Sequence, residues 1–477
     1  MSTTPRPNVL VFFTDQQRHD TTGVHGCPLG LTPNLDRLAR GGTDVHRSFT
    51  CQPVCGPARA CLQTGTHATT NGTVTNGIGL TRELPNLGTL FTEAGYRTGY
   101  LGKWHLADDR GVRGPVPPEQ RGGYGYWLAA NLLEQTSDAY HTRLWDRDGQ
   151  PVDLPGYRVD ALADALIRHL DDRLRAPDRD EHPFFAFCSF LEPHHQNHAY
   201  DYVAPDGWRQ PYTGRWCPPD LASLPSLGSA GTAVGGSAPG HLGGYFGMVK
   251  RLDEALGRVC DALQSHGQLD NTVILFTSDH GCHFETRNAQ DKRSGHEASI
   301  RVPTVLAGGP FKGGGRVDPL VSLVDLPATL LDAAGIDVPD TFEGRSLLPL
   351  VRKEPDAVAS WPEEVYVQVS EACWGRTVRT RRWKYITRDP DRPDWHRAGY
   401  TGGQDRLREV ELYDLLHDPY ELFNLVSFES HTPVREAMRE RLLRRMSELG
   451  EELPEVLGPE AMKPAGQRRV TAEEARA

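Results

Sequence analysis

Apolar residues gather in short runs separated by longer stretches of helical spacing, the pattern of strands that cross over through helices into a mostly parallel sheet. Residues 9–13 (VLVFF) are apolar at every position, as a strand buried on both faces requires. Residues 184–190, 273–276 and 302–306 are runs of the same kind. Between them lie helical patterns at 32–39, which opens on a cap and a proline, at 160–174, and at 245–263, which stops near Gly267. The predicted fold class is α/β: a large mixed, mostly parallel sheet flanked by helices, carried by residues 1–354.

The pattern changes near residue 350. Residues 365–369 and 376–386 read as hairpin strands and 432–449 as a charged amphipathic helix, which predicts a smaller C-terminal α+β domain over 355–450. Residues 451–477 read as a polar, frayed tail. Two stretches with weak periodicity, 107–158 and 199–240, read as insertions. Their Trp127, Trp145 and Trp208, together with Trp374, are candidates for shaping a pocket that stacks on a sugar face, and packing is the alternative for each. No internal repeat is evident.

Composition narrows the class of partner. A hydrophobic share of 38% and a charged share of 24% fit a globular chain. A net charge of -11 leaves no basic surplus for nucleic acid, so an anionic substrate needs local positive charge. The apolar run at 9–13 is too short for a signal peptide or a membrane span. Nine cysteines, an odd number without paired spacing, argue against a disulfide framework, and a cytoplasmic location is expected.

Chemistry concentrates first in Pro53-Val54-Cys55-Gly56-Pro57-Ala58-Arg59-Ala60-Cys61-Leu62-Gln63-Thr64-Gly65. A single cysteine is more often inert than reactive. The Cys-x-Pro-x-Arg spacing with its trailing Leu-x-Thr-Gly changes that, because it resembles the signature of the type I sulfatases, of the alkaline-phosphatase-like superfamily. The resemblance implies that a formylglycine-generating enzyme oxidises Cys55 to Cα-formylglycine, with Pro57 and Arg59 needed for its recognition. The hydrate of that aldehyde carries two hydroxyls on one carbon: one attacks sulfur, and the other expels sulfate by elimination.

Further segments match in order. Thr14-Asp15-Gln16 follows the first strand and Ser278-Asp279-His280-Gly281 a later one, each placing a carboxylate where open α/β sheets gather ligands. An Asp in such a place is usually an ordinary loop residue. The resemblance implies that Asp15, Gln16, Asp279, His280 and the modified Cys55 bind one divalent cation. Gln16 and His280 stand where many members carry Asp and Asn; calcium is the first choice, with manganese or magnesium open. Gly102-Lys103-Trp104-His105 implies Lys103 as a sulfate and nucleophile contact and His105 as the base for elimination. Pro193-His194 implies His194 as a sulfate contact and candidate acid, whereas His195 and His198 read as pocket or surface residues. Asp291-Lys292 through Glu297, Arg301 and Pro303 implies Lys292 as a sulfate ligand, with Glu297 and Arg301 a structural pair. Counterparts at Asp325, Lys384, Asp414, Asp418, Glu421 and Asn424 read as packing and domain-joining elements.

The expected activity is hydrolysis of a sulfate monoester on a small molecule or oligosaccharide, with a carbohydrate favoured over an aryl ester. A phosphonate monoester hydrolase or phosphodiesterase of the same superfamily is the alternative. A sulfated-glycan binder that has lost catalysis predicts motif decay, and a cysteine hydrolase explains neither Pro57 and Arg59 nor the two strand-end Asp elements.

Overall fold

A computed structural model describes residues 6–108, 113–196, 199, 201–227, 238–391, 405–464 and 468–476. At the centre of a ten-stranded sheet, Thr272–Ser278, Asn8–Thr14, Phe184–Ser189 and Arg97–Lys103 lie side by side, all parallel. Their side chains alternate between two apolar cores. Val9, Val11 and Phe13 enter one with Phe185, Phe187, Val273 and Leu275, while Leu10 and Phe12 enter the other with Phe184, Ala186, Ile274 and Phe276. Burial on both faces is why Asn8–Thr14, Phe184–Ser189 and Thr272–Ser278 read as apolar runs.

Helices cover both faces. Arg158–Arg175 and Ala238–Ser265 pack on one, through residues such as Leu162, Leu166, Leu252, Leu256 and Val259. Cys55–Thr64 and Asp325–Ala333 pack on the other, through Ala58, Leu62, Leu326 and Leu330. The long helix begins well before the expected residue 245, across a Gly-rich stretch of low helix propensity. Tertiary contact overrides propensity there: a Cβ on Gly244 would lie 2.1 Å from the Tyr202 carbonyl oxygen.

The run at 302–306 is split at Pro303. Arg301–Val302 pairs with Ser48–Phe49 in a small three-stranded sheet, and Val305–Ala307 pairs antiparallel with Thr272–Ser278. The expected insertion 107–158 is part of the main sheet, since Tyr126–Ala130, His141–Asp146 and Pro151–Pro155 extend its edge. Trp127 and Trp145 are buried in its cores, as is Trp374, so these three are packing residues; Trp208 is half-buried. His198 lies outside the described residues.

A second sheet runs Glu364–Val369, Gly375–Thr380, Trp383–Arg388 and Arg406–Asp414, antiparallel throughout. The helix Thr432–Glu448 covers it with Val434, Met438, Leu442 and Met446. The end of the chain is not frayed as expected. Glu455–Leu457 adds a parallel strand beside Arg406–Asp414, and Ala472–Arg476 docks with Ala475 buried and the Trp383 indole N–H donating to the Glu474 carbonyl at 2.9 Å. All nine cysteines are free, and among the described residues no helix is long and apolar enough to cross a membrane.

Candidate active site

The four central strands run the same way, so their carboxyl ends share one edge, and each delivers polar residues there. Asp15 and Gln16 follow Asn8–Thr14, Asp279 and His280 follow Thr272–Ser278, His194 follows Phe184–Ser189, and Lys103 ends Arg97–Lys103. Cys55 opens the helix Cys55–Thr64, and Arg59 lies one turn further on the same side. Lys292 arrives from the loop beyond His283. All of them are buried.

The backbone is bent to reach this geometry. Gln16 adopts φ 67°, costly for a non-glycine residue, and is held by its N–H donating to Asp279 Oδ1 at 3.0 Å and its carbonyl accepting from Tyr245 at 2.7 Å. Gly102, at φ 95°, lets the lysine strand approach its neighbour: a Cβ there would sit 2.0 Å from the Ser189 carbonyl oxygen. His105 follows in the left-handed region at φ 57°, which turns the chain back over Cys55.

Asp15, Cys55, Asp279 and His280 point one donor atom each at a common centre, all within 4.8 Å of one another. Cys55 Sγ is 3.2 Å from His280 Nε2 and 3.0 Å from Lys292 Nζ, which also donates to Gln16 Oε1 at 3.0 Å. The Gln16 amide nitrogen is turned away to Tyr202, so its oxygen faces the site. Arg59 Nη2 bridges the two carboxylates, 3.0 Å from Asp15 and 3.1 Å from Asp279, and its Nη1 reaches Ser189 Oγ at 2.6 Å. Lys103 Nζ lies 2.8 Å from Asp15 and 3.2 Å from Glu134.

Burial opposes every charge here, so the ionisation states report the neighbours. Against burial and the adjacent Cys55, the Lys103 and Arg59 cations hold the Asp15 carboxyl well below the usual carboxylate range. Burial and the Asp15 charge push Asp279 up. Burial also opposes ionisation of Cys55, yet Lys103, Lys292 and His280 pull its thiol far below the ordinary value, so the centre is built for a negative atom at position 55. Burial, Lys292 and His195 depress His194, which is therefore neutral; its Nδ1 donates to the His195 carbonyl at 2.7 Å and leaves Nε2 as an acceptor.

The structure thus brings Asp15, Gln16, Cys55, Arg59, Lys103, His105, His194, Asp279, His280 and Lys292 to one place. Glu134 joins them unannounced. Its carboxylate approaches both Lys103 and His105 (3.8 Å to Nδ1), and against burial these two hold it below its usual range. It sits in the short helix Leu133–Thr136, within the stretch read as an insertion, and its only signal was an acid directly after two leucines. His195 lies beside the centre, 3.4 Å from Asp291. Glu297 is 3.8 Å from Arg301, but its closer partners are Arg379 at 3.2 Å and Lys384 at 2.7 Å.

Comparison with known proteins gives the family of the chain. Residues 7–336 match the family described as Sulfatase, and residues 286–448 match N-sulphoglucosamine sulphohydrolase, C-terminal. The uncharacterized sulfatase YidJ of Escherichia coli (strain K12) is 30% identical over 462 residues, covering 93% of this chain and 88% of its own. N-acetylglucosamine-6-O-sulfatase of Bacteroides thetaiotaomicron is 25% identical over 492 residues, covering 88% of this chain and 83% of its own. The solved structure of yidJ from Bacteroides fragilis, assigned as a sulfatase, superposes with a TM-score of 0.77 at 23% identity, across 95% of this chain and 98% of that one, which shows the shared fold. The chain belongs to the sulfatase family and is a sulfuric ester hydrolase.

Proposed function

We propose that this sulfatase removes sulfate from a sugar, using a nucleophile made from Cys55 and one divalent cation, calcium by preference. The observation that carries the proposal is the convergence of Asp15, Cys55, Asp279 and His280 on one buried point. The donor set suits a cation: two carboxylates, an imidazole and the Gln16 amide oxygen, with Arg59 holding both carboxylates in place. When bound, the cation supplies a Lewis acid that screens the charge of sulfate, and a formylglycine hydrate at 55 supplies the attacking hydroxyl. A maturing enzyme that recognises Pro57 and Arg59 makes that group.

The chain's own residues do the rest. Lys103, fixed between Asp15 and Glu134, and Lys292, fixed by Gln16, present ammonium groups to the side chain at 55 and to sulfate oxygens beside it. His105, oriented by Glu134, takes the proton released at position 55 during elimination. His194 lines the sulfate site, and because its neutral ring exposes an acceptor, Lys292 is the proton source for the departing alcohol. The chemistry sits in residues 1–354, and 355–450 form a smaller C-terminal domain. A sugar is favoured because the C-terminal match and one relative are named for glucosamine sulfates. Free cysteines fit a cytoplasmic enzyme.

Initial rates on sulfated glucosamines, an aryl sulfate and a matched aryl phosphate diester test the proposal. Fast turnover of a sulfated sugar is expected. Activity on the aryl sulfate alone rejects the sugar, and a faster phosphodiester reaction rejects sulfate ester hydrolysis as the main activity.

A further inference from the structure

A second set of metal-ligating side chains lies apart from the centre just described. His25 ends the short turn Gly23–His25, Asp44 sits in the strand Thr43–Val45, and His46 follows it. One donor atom from each falls within 4.8 Å of the others. The His25 side chain is 2% exposed, that of Asp44 11% and that of His46 22%.

The hydrogen bonds around His25 set how its ring faces the other two groups. Thr22 Oγ1 gives its proton to the His19 carbonyl at 3.0 Å and therefore accepts from His25 Nδ1 at 2.7 Å. That leaves Nε2, the other ring nitrogen, turned towards Asp44. His25 Nε2 faces Asp44 Oδ1 at 3.3 Å, and neither buried atom has a hydrogen-bond partner. A buried ring nitrogen and a carboxylate oxygen placed like this share a cation, either a proton or a metal ion. A separation of 3.3 Å is that of two ligands on one tetrahedral ion bound at about 2.0–2.1 Å.

Beside them the Arg316 guanidinium donates to Asp44 Oδ2 at 3.2 Å and lies 2.7 Å from His46 Nδ1. Its side chain is 49% exposed and is free to swing into solvent. We propose that His25, Asp44 and His46 form a second cation site, selective for a zinc-like transition metal, in which Arg316 stands in for the ion when none is bound. Two imidazoles and one carboxylate are a borderline-soft donor set, unlike the oxygen-rich catalytic centre. An ion held there clips the turn Gly23–His25 to the strand Thr43–Val45 in the edge region of the main sheet.

Zn2+ titrated into the full-length protein in excess Ca2+, with bound zinc counted by equilibrium dialysis and Tm followed in parallel, tests this. Wild type is expected to bind one zinc more than His25→Ala or Asp44→Asn, and zinc is expected to raise Tm in wild type only. Arg316→Ala removes a competing cation and is expected to bind that zinc roughly tenfold more tightly, the scale on which neighbours tune a metal site. Turnover with Ca2+ is expected to be unchanged in Arg316→Ala. Equal zinc counts in wild type and His25→Ala overturn the proposal, as does weaker zinc binding in Arg316→Ala. The Arg316 arm decides even where a histidine variant does not fold.

Discussion

Two buried clusters in this protein each set carboxylates against lysine and arginine. In one, Glu297 and Glu421 hold Lys384 between them at 2.7 Å each, with Arg379 3.2 Å from Glu297. In the other, Asp15 and Asp279 meet Arg59, Lys103 and Lys292 around Cys55. Against burial, neighbouring cations hold one carboxyl of each cluster, Glu297 and Asp15, well below its usual range. Buried charge and shifted ionisation therefore do not mark the active site. What separates the two is where the electron pairs point. In the first cluster each carboxylate faces an ammonium or guanidinium, so the group is closed and joins the C-terminal sheet to the main body. In the second, one donor atom from each of Asp15, Cys55, Asp279 and His280 converges on one point, with the Gln16 oxygen beside it.

The comparison predicts a split between activity and stability. Cys55→Ala should lower kcat on the order of 10⁴-fold or more, the scale for loss of a covalent nucleophile, with Tm almost unchanged. Residual turnover within tenfold of wild type would break the distinction. Glu297→Gln should do the reverse, costing about 3–5 kcal/mol of stability because Lys384 and Arg379 lose a buried partner, while kcat/KM of the folded fraction stays within a few-fold. Denaturant unfolding and steady-state rates separate the two effects.

Glu134→Gln is a finer probe, because Glu134 belongs to the active cluster without touching the convergent point. Loss of its charge should lower kcat roughly 10–100-fold through Lys103 and His105, with KM and Tm little changed. A pure stability loss would move Glu134 into the structural class. The smallest effect belongs to His169, buried outside both clusters, whose ring burial and Arg173 push down to about 4 from 6.5. Its folded value lies below its unfolded one, so its contribution is complete above pH 6.5 and is lost as pH falls towards 4. At pH 5 the loss is about 2 kcal/mol, and His169→Leu should flatten the decline of stability with acid over that range.

Legibility in the sequence followed how local each signal is. Three of the four central strands declared themselves as unbroken apolar runs, and Asp15, Lys103, His194 and Asp279 stand in short motifs that the family resemblance makes legible from local sequence. Strand Arg97–Lys103 escaped notice because two glycines and charged ends interrupt its apolar residues. The edge strands after Tyr126 were taken for an insertion because an edge is only half buried: Pro151–Pro155 alternates between exposed and half-buried positions. The terminal strand Glu455–Leu457 has no apolar face of its own, and its place depends on pairing with Arg406–Asp414. Glu134 was invisible for a related reason, since nothing near it in sequence tells that Lys103 and His105 will fold against it.

The most direct test of the account is the mass of the tryptic peptide containing Cys55, from protein made in a host that carries the maturing enzyme. Oxidation of the thiol to the aldehyde exchanges one sulfur for one oxygen with loss of two hydrogens, so the peptide should be roughly 18 Da lighter than its sequence mass. An unmodified thiol at full occupancy in catalytically active protein would contradict the proposed nucleophile and, with it, the role given to the convergent centre.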